Sequence, residues 1–455
     1  MPDLPQPSSP CPRCSQLEVE LAKLRARIEE LERGQKRQAA PFSKGDPKSA
    51  PKTPGRKPGE DYGIKAHREP PRTFDEILET PCPESCPHCG GAVEPVGIET
   101  QYQDEIVRSH LRRRIRNGFG RCVGCRRVVR SRHPLQTSTA TGAAAAQVGP
   151  DAQALIVRMN KELGASHQKI SRHFKSTFGL SITRGGVTQI ILRAAFRCGS
   201  AYRDILIFVR RSEEVYADET GWKVGGWLHW LWGFVTRMAT AYLIRPSRGA
   251  DVPEEVLSPD YAGFFGHDGW APYDRFKEAI HGTCNTHLLG RCRNLLQVAT
   301  AGAVRFPRAV KTVLQAGLAL RDRRDAGRIS PQGVAVARGH LESKMLRLLG
   351  SRLTHPGNAK LANHMAKHFD QIFTYLRIPG VEATNWMGEQ AMRPAVVNRK
   401  VWGGNRTRRG SIAQSCLMSV LRTCVQQGHD GLDFISRTLR APPGQAPKII
   451  AVPAS

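Results

Sequence analysis

The sequence predicts a multidomain α/β protein in which a leucine-rich helix, a cysteine-rich module and a helical domain precede a catalytic core. Three observations predict this class. The 455 residues are enough for about three domains. Three Cys-x-x-Cys pairs occur in the first third of the chain, and apolar runs of strand and helix spacing alternate from residue 213 onward. In addition, the formal net charge of +28 indicates that the protein binds a polyanionic partner.

The composition argues against a membrane protein or a secreted protein. The most apolar stretch, 227–235, is interrupted by His229 and is too short to cross a bilayer. The first seven residues lack the charged and apolar regions of a signal peptide. We therefore expect an intracellular protein, in which the twelve cysteines favour metal binding or burial over disulfides. Four of them lie on helical patterns and are expected to be buried and inert, namely Cys198, Cys292, Cys416 and Cys424.

Residues 1–34 predict a leucine-rich helix. Apolar residues recur at steps of four and three, which forms an a/d seam of Leu17, Leu21, Leu24, Ile28 and Leu31. The seam covers only about two heptads, so it indicates either self-association or a solvated amphipathic helix. Residues 35–71 have the Lys, Pro, Gly and Ser composition of a flexible basic linker.

Residues 72–138 predict a four-cysteine zinc ribbon. The pair Cys86 and Cys89 is followed by a second pair of the same spacing, Cys122 and Cys125, with strand-like sequence between the pairs. A redox site is the alternative, but it would need only one pair. Cys82 could replace a ligand, and the pair Cys11 and Cys14 stays unassigned.

The same module carries a positive field. Between residues 108 and 132 there are ten arginines and no acidic residue, with Arg112, Arg113 and Arg114 in succession. Such a field is expected to lie on DNA phosphates.

Residues 150–212 predict a helical domain of the helix-turn-helix kind. Helical patterns cover 152–163, 166–178 and 183–196, with short breaks between them. A tight turn before a Thr-capped helix is typical of a DNA reader. A compact helical linker would have the same pattern.

Residues 213–428 predict a core of alternating strands and helices. Strands are expected at 214–218, 227–236, 241–245, 262–268 and 282–284, and helices at 252–257, 272–279 and 287–298. Three hairpin-linked strands followed by alternating helices and strands is the order of the ribonuclease H-like fold. A basic helical insertion covers about 300–380. Residues 429–455 predict a C-terminal tail, and its Pro/Ala-rich part from residue 441 is expected to be disordered.

Three carboxylates are candidate catalytic residues of this core. Asp218 and Asp268 each follow an apolar run and precede a Gly-Trp turn, on the first strand and at the end of the fourth. Glu389 lies on a helical pattern with Asn385 and Arg393 on the same face. Carboxylates brought together can hold two divalent cations for phosphodiester chemistry. The acidic rivals to these three are Glu219, Asp274 and Glu382.

A basic segment follows the glutamate. Between residues 393 and 409 there are six basic residues and no acid, namely Arg393, Arg399, Lys400, Arg406, Arg408 and Arg409. With Trp402 and two glycines among them, the segment predicts a flexible loop that grips DNA. A solvated charged loop is the alternative.

The chain resembles the transposases of the insertion-sequence 66 family. The resemblance rests on the cysteine pairs, Asp218-Glu-Thr-Gly-Trp-Lys-Val-Gly-Gly, Pro246-Ser-Arg-Gly-Ala-Asp and Asp268-Gly-Trp-Ala-Pro-Tyr-Asp. It extends to the family's Cys-x-x-His, here Cys284 and His287, which we expect to shape the wall of the site or to be packed rather than to bind metal. The glutamate motif departs from the family pattern of two asparagines and a Glu-Arg pair, because Trp386 follows Asn385 and Gln390 follows Glu389.

The resemblance implies an Asp-Asp-Glu transposase whose Asp218, Asp268 and Glu389 bind two Mg²⁺ or Mn²⁺ ions. Such an enzyme cleaves the ends of an insertion sequence in double-stranded DNA and joins them to target DNA. It implies a homo-oligomer in the bacterial cytoplasm, associated with the nucleoid, with room for accessory transposition proteins. The alternatives are a non-catalytic zinc and helix-turn-helix regulator, and a metal-dependent nuclease without strand transfer.

Overall fold

The computed structural model describes residues 70–104, 106–108, 110–136, 138, 140, 147–442 and 444–451, together with 13, 17, 18, 20, 21, 24 and 25. The described residues of the predicted N-terminal helix are helical, and Leu17, Leu21 and Leu24 are exposed. The other seam positions, Cys11, Cys14 and most of the predicted linker lie outside the described residues.

The chain divides into two compact units, residues 1–107 and 108–455. In the first, an isolated bridge joins Ser85 to Ala92. The second begins with a small exposed antiparallel hairpin of β1 (Phe119–Arg121) and β2 (Val128–Arg130).

Four helices follow the hairpin: α1 (Pro150–Lys161), α2 (His167–Phe178), α3 (Arg184–Arg197) and α4 (Gly199–Arg210). The Ser166 hydroxyl caps α2 by accepting a hydrogen bond from Lys169 N at 3.3 Å, and Thr183 caps α3 by accepting from Gly186 N at 3.0 Å. Gly179, at φ 64°, ends α2 in the left-handed conformation that glycine tolerates. The three predicted helices are therefore present, with α4 as a fourth.

A mixed five-stranded sheet forms the centre of the second unit. Its strands are β3 (Glu214–Val224), β4 (Trp227–Val235), β5 (Thr240–Arg245), β6 (Phe264–His267) and β7 (Ile280–Thr283). The order is β5-β4-β3-β6-β7, with the first three strands antiparallel and β6 and β7 parallel to β3. This mixed α/β arrangement is consistent with a ribonuclease H-like core.

Strand β3 is longer than predicted, and the expected Gly-Trp turn after Asp218 is wrong. Gly221 and Trp222 continue the strand and pair with β4, and the turn comes at Gly225 and Gly226, both at positive φ. The reason is the Trp222 ring, which is fully buried and so holds the hairpin in register. The predicted helix at 272–279 is likewise only a short 3₁₀ turn, Ala271–Arg275.

Helices cover both faces of the sheet. They are α5 (Asp251–Leu257), α6 (Asn285–Val298), α7 (Arg305–Asp325), α8 (Pro331–Leu349), α9 (Pro356–Lys367), α10 (Phe369–Ile372), α11 (Thr374–Arg377), α12 (Trp386–Trp402) and α13 (Arg408–Gln426). One core joins α1–α4 and α13 to the sheet, and a second core joins α6–α12 to the sheet. Helix α12 approaches β4 so closely that a Cβ on Gly233 would lie 2.9 Å from Met392 Sδ.

The predicted C-terminal tail is folded in its described part. Helix α14 (Gly431–Arg440) is capped by Asp430, which accepts a hydrogen bond from Leu432 N at 2.7 Å, and it packs against α1. Ile449 and Ile450 are buried in the core shared with the helical domain. Disorder from residue 441 is therefore wrong for the residues described up to 451, because apolar side chains among the prolines still find a core.

The four cysteines expected in the core are confirmed as buried: Cys198, Cys292, Cys416 and Cys424 are each 3% exposed or less. No helix in the described part of the chain is long and apolar enough to cross a membrane.

Candidate active site

Asp218 lies in the middle of β3, opposite Gly233 of β4. Its Oδ1 accepts a hydrogen bond from Glu219 N at 3.0 Å. Burial, and then the negative charges of Glu219, Asp268 and Glu389, together raise the pKa of this carboxyl to about 7. The three predicted catalytic carboxylates therefore act on one another electrostatically.

Asp268 directly follows β6, in a loop that histidines hold in place. Its Oδ1 accepts from Trp270 N at 2.9 Å, and His267 Nδ1 accepts from Gly269 N at 3.0 Å. His267 Nε2 lies 2.8 Å from His281 Nδ1, and His281 Nε2 lies 2.8 Å from Phe276 O.

A single pattern of tautomers satisfies that chain. The Phe276 carbonyl can only accept, so His281 Nε2 carries a proton and its Nδ1 accepts from His267 Nε2. Burial lowers the pKa of both imidazoles and so favours these neutral forms. These hydrogen bonds therefore fix the position of the loop that carries Asp268.

Glu389 lies in the first turn of α12, whose start is tied to the first aspartate's strand. Asn385 Nδ2 donates to Ala217 O at 2.7 Å, one residue before Asp218. Asn385 N donates to Cys284 Sγ at 3.1 Å. Glu389 is thereby positioned relative to both β3 and β7.

Each of the three rival acids is paired with a basic side chain. Glu219 accepts two hydrogen bonds from Arg248, at 3.1 and 2.8 Å. Asp274 pairs with Lys367 at 2.6 Å, and Glu382 lies 3.7 Å from Arg237. In contrast, no described Lys or Arg forms an ion pair with Asp218, Asp268 or Glu389. The negative charge of Asp218 and Asp268 is left for cations, whereas Glu389 Oε1 has His287 Nδ1 at 3.7 Å.

A second set of ligand atoms also meets at Glu389. Cys284 Sγ lies 3.9 Å and His287 Nδ1 lies 3.7 Å from Glu389 Oε1, and one ligand atom from each residue falls within 4.8 Å of the others. A hydrogen bond with Cys284 raises the pKa of His287 to about 9, helped by the charges of Cys284, Glu389 and Asp268. Sequence reasoning expected Cys284 and His287 to shape the wall of the site or to be packed rather than to bind metal, and the structure adds a geometry compatible with metal binding.

A family model for transposases, described as Transposase IS66 family, matches residues 145–413, which is more than half of the chain. The chain belongs to this family. The match includes all three carboxylates, and it makes the protein a transposase, an enzyme that acts on DNA. No curated protein matches the chain.

The basic segment of this IS66 transposase is not the predicted flexible loop. Helix α12 continues to Trp402 and α13 begins at Arg408, so the break is only five residues long. That break is pinned to the hairpin, because Asn405 N donates to Lys223 O at 2.8 Å and Asn405 O accepts from Gly225 N at 2.8 Å.

Two of the predicted DNA-binding residues point inward. Arg399 Nη1 donates to Thr220 Oγ1 at 3.1 Å and to Gly221 O, which ties it to β3. Trp402 packs edge-on against Trp222, with ring centroids 5.8 Å apart. Arg399 and Trp402 therefore have structural contacts in the fold, and DNA contact by them stays a prediction. Arg393, Lys400, Arg406, Arg408, Arg409, Arg112, Arg113 and Arg114 are exposed.

The two Cys-x-x-Cys pairs that begin at Cys86 and Cys122 form the same turn, each within its own unit. Cys86 N donates to Gly91 O at 2.8 Å and Gly90 N donates to Cys86 O at 2.9 Å. Cys122 repeats both bonds, with Arg127 O and Arg126 N, at 2.9 Å each. Amides of the turns donate to both leading thiols, which lowers the pKa of Cys86, chiefly through His88, and of Cys122, chiefly through Cys125. Both turns favour thiolates, the form that binds metal.

Proposed function

We propose that this transposase uses Asp218, Asp268 and Glu389 as an Asp-Asp-Glu site for two Mg²⁺ or Mn²⁺ ions. The observation that supports it is the proximity of the three carboxylates: after burial and the charge of Glu219, the charges of Asp268 and Glu389 also contribute to raising the pKa of Asp218 to about 7. Cations relieve the repulsion between these charges, and carboxylate oxygens are the ligands that Mg²⁺ prefers. The donor set of the chain therefore fits these ions.

The residues of the chain hold this site in place. Asp218 stands on a central strand, Asp268 on a loop fixed by hydrogen-bonded histidines, and Glu389 on a helix whose first residues are bonded to β3. Two divalent ions bound by them would activate water or a DNA 3′-hydroxyl and stabilise the departing oxygen. One site would then serve both cleavage at the element end and joining to target DNA.

The remaining parts of the chain would bring DNA to the site. Cys86, Cys89, Cys122 and Cys125 would hold a structural Zn²⁺, supported by the matching turns of the two pairs. The arginines beside the second pair and the exposed basic residues from Arg393 to Arg409 would lie on phosphates of double-stranded DNA. The helices α1–α3 would read element ends, and the active form would be a homo-oligomer at the nucleoid that can accept accessory proteins.

The test is purified protein with DNA that carries the element ends, a target DNA and Mg²⁺. The proposal expects metal-dependent cleavage followed by joining of the ends to target. Cleavage without joining would show that the protein is a nuclease without strand transfer. Binding without cleavage would leave a DNA-binding regulator, and either result would overturn the proposal.

A further inference from the structure

We propose that Cys284, His287 and Glu389 form a second metal site, which takes a thiophilic cation such as Zn²⁺ and removes Glu389 from Mg²⁺-dependent catalysis. The binding itself is independent of the proposed function. Only its inhibitory effect rests on Glu389 being a catalytic carboxylate.

The geometry of the three ligand atoms suits a small tetrahedral ion. Glu389 Oε1 lies 3.9 Å from Cys284 Sγ and 3.7 Å from His287 Nδ1. Ligands bound to Zn²⁺ at about 2.0–2.3 Å in tetrahedral array lie roughly 3.5 Å apart. The ligand atoms of Cys284 and His287 lie within 4.8 Å of each other, so shifts of about one ångström or less would close the site.

The residues around the site fix the position of Cys284, whereas His287 and Glu389 are accessible to solvent. The Cys284 thiol is 1% exposed and accepts the hydrogen bond of Asn385 N, which fixes its position at the start of α6. The side chains of His287 and Glu389 are 43% and 42% exposed, so an ion can enter from solvent. Three protein ligands with an open fourth position is the arrangement of an accessible zinc site.

The donor types separate this site from the one for Mg²⁺. Thiolate and imidazole select Zn²⁺, Co²⁺ or Cu⁺, whereas Mg²⁺ takes oxygen ligands. Glu389 is the one ligand that both sites need. Occupancy by a thiophilic ion therefore competes with catalysis.

The direct test is a titration of the full-length protein with Co²⁺, after purification with Zn²⁺ in the cysteine module. The wild type should develop a thiolate-to-cobalt charge-transfer absorption. The band should be lost in Cys284→Ser, and Co²⁺ affinity should fall in His287→Asn by at least the roughly 10–100-fold that changes around metal ligands cost. The matched control is Cys292→Ser, a fully buried cysteine on the same helix, which should keep the band.

A second measurement is Zn²⁺ inhibition of cleavage in the presence of Mg²⁺, with each variant normalised to its own rate without Zn²⁺. Cys284→Ser should need about tenfold more Zn²⁺ than the wild type for half-inhibition. An identical cobalt spectrum in the wild type and in Cys284→Ser would overturn the site, even if the protein cleaves DNA. A thiolate band that depends on Cys284 in a protein that cuts no DNA would uphold the site and overturn the proposed function instead.

Discussion

The guanidinium of Arg248 donates two hydrogen bonds to Glu219, at 3.1 and 2.8 Å, and lies between two tryptophan rings. Its central carbon is 4.4 Å from the centroid of Trp230 and 4.1 Å from that of Trp270. Glu219 is only 2% exposed, and Tyr273 also donates to it, at 2.7 Å. The carboxylate beside Asp218 is thus bound to the loop that carries Asp268.

Glu219→Gln should therefore lower both the melting temperature and the cleavage rate. Removing one charge of a buried pair leaves the other uncompensated; because Arg248 is 36% exposed, we expect about 1–3 kcal/mol rather than more. The control is Glu382→Gln, which breaks a longer and more exposed pair with Arg237 and should cost at most about 1 kcal/mol. Equal melting temperatures for the two variants would mean that the Glu219 pair does not hold the site together.

One tightly bound zinc should remain after extensive dialysis if the two cysteine turns share an ion. The double variant Cys122→Ala/Cys125→Ala should lose it and unfold its module, because so exposed a hairpin has little core of its own. Elemental analysis measures this directly. Cys82→Ala should keep the zinc. Loss of zinc from this variant would show that Cys82 is a ligand in place of one of the four cysteines.

DNA binding should weaken steeply with salt, since each neutralised phosphate adds about −0.9 to the slope of log affinity against log salt. Reversing the charge of Arg112, Arg113 and Arg114 should flatten that slope. The triple change of the same residues to lysine is the matched control and should leave the slope steep. Binding that ignores salt would contradict a phosphate-binding role for the arginines.

The raised pKa of Asp218 predicts a pH-dependent cost to the fold without added divalent metal. Its folded value is about 7 and the unperturbed value is 3.8, so the folded state keeps a proton that the unfolded state loses in between. Stability is therefore lost as pH rises through that window. Asp218→Asn should gain in melting temperature relative to the wild type as pH rises from about 5.5 to about 8.

The control for this titration is Asp274→Asn, whose carboxylate already pairs with Lys367. Its melting temperature should not rise relative to the wild type over the same range. A constant difference between Asp218→Asn and the wild type at every pH would show that burial and the neighbouring carboxylates do not raise the pKa of Asp218.

The order of the strands along the chain could be predicted from the sequence because apolar runs mark them, and Asp218 and Asp268 were placed on the first and fourth of those strands. The length of β3 could not, because the hairpin is set by Trp222, whose burial is decided by helices far along the chain. The same holds for Glu219, whose partner Arg248 lies 29 residues away.

The basic segment misled for a local reason. Gly403, Gly404 and six cations indicate a loop, yet α12 continues through Pro394 because its apolar face packs on β3 and β4. Packing of that face outweighs the lost backbone hydrogen bond. The burial of Ile449 and Ile450 was missed for a similar reason, because the prolines around them indicate a disordered tail.

The central claim is that Asp218, Asp268 and Glu389 form the catalytic metal site. Asp218→Asn, Asp268→Asn and Glu389→Gln should each lower Mg²⁺-dependent cleavage and joining by about a thousandfold or more, because ligands of shared ions act as a unit. DNA binding should stay largely intact. Each amide keeps the shape of the side chain and loses the charge that holds the ions.

The deciding measurement is the cleavage rate on element-end DNA for these three variants beside Asp274→Asn and Glu382→Gln, whose carboxylates are paired with Lys367 and Arg237. We expect three inactive proteins and two with nearly normal rates. Normal turnover in Glu389→Gln with an inactive Glu382→Gln would contradict the third ligand, and activity in all five would contradict the site.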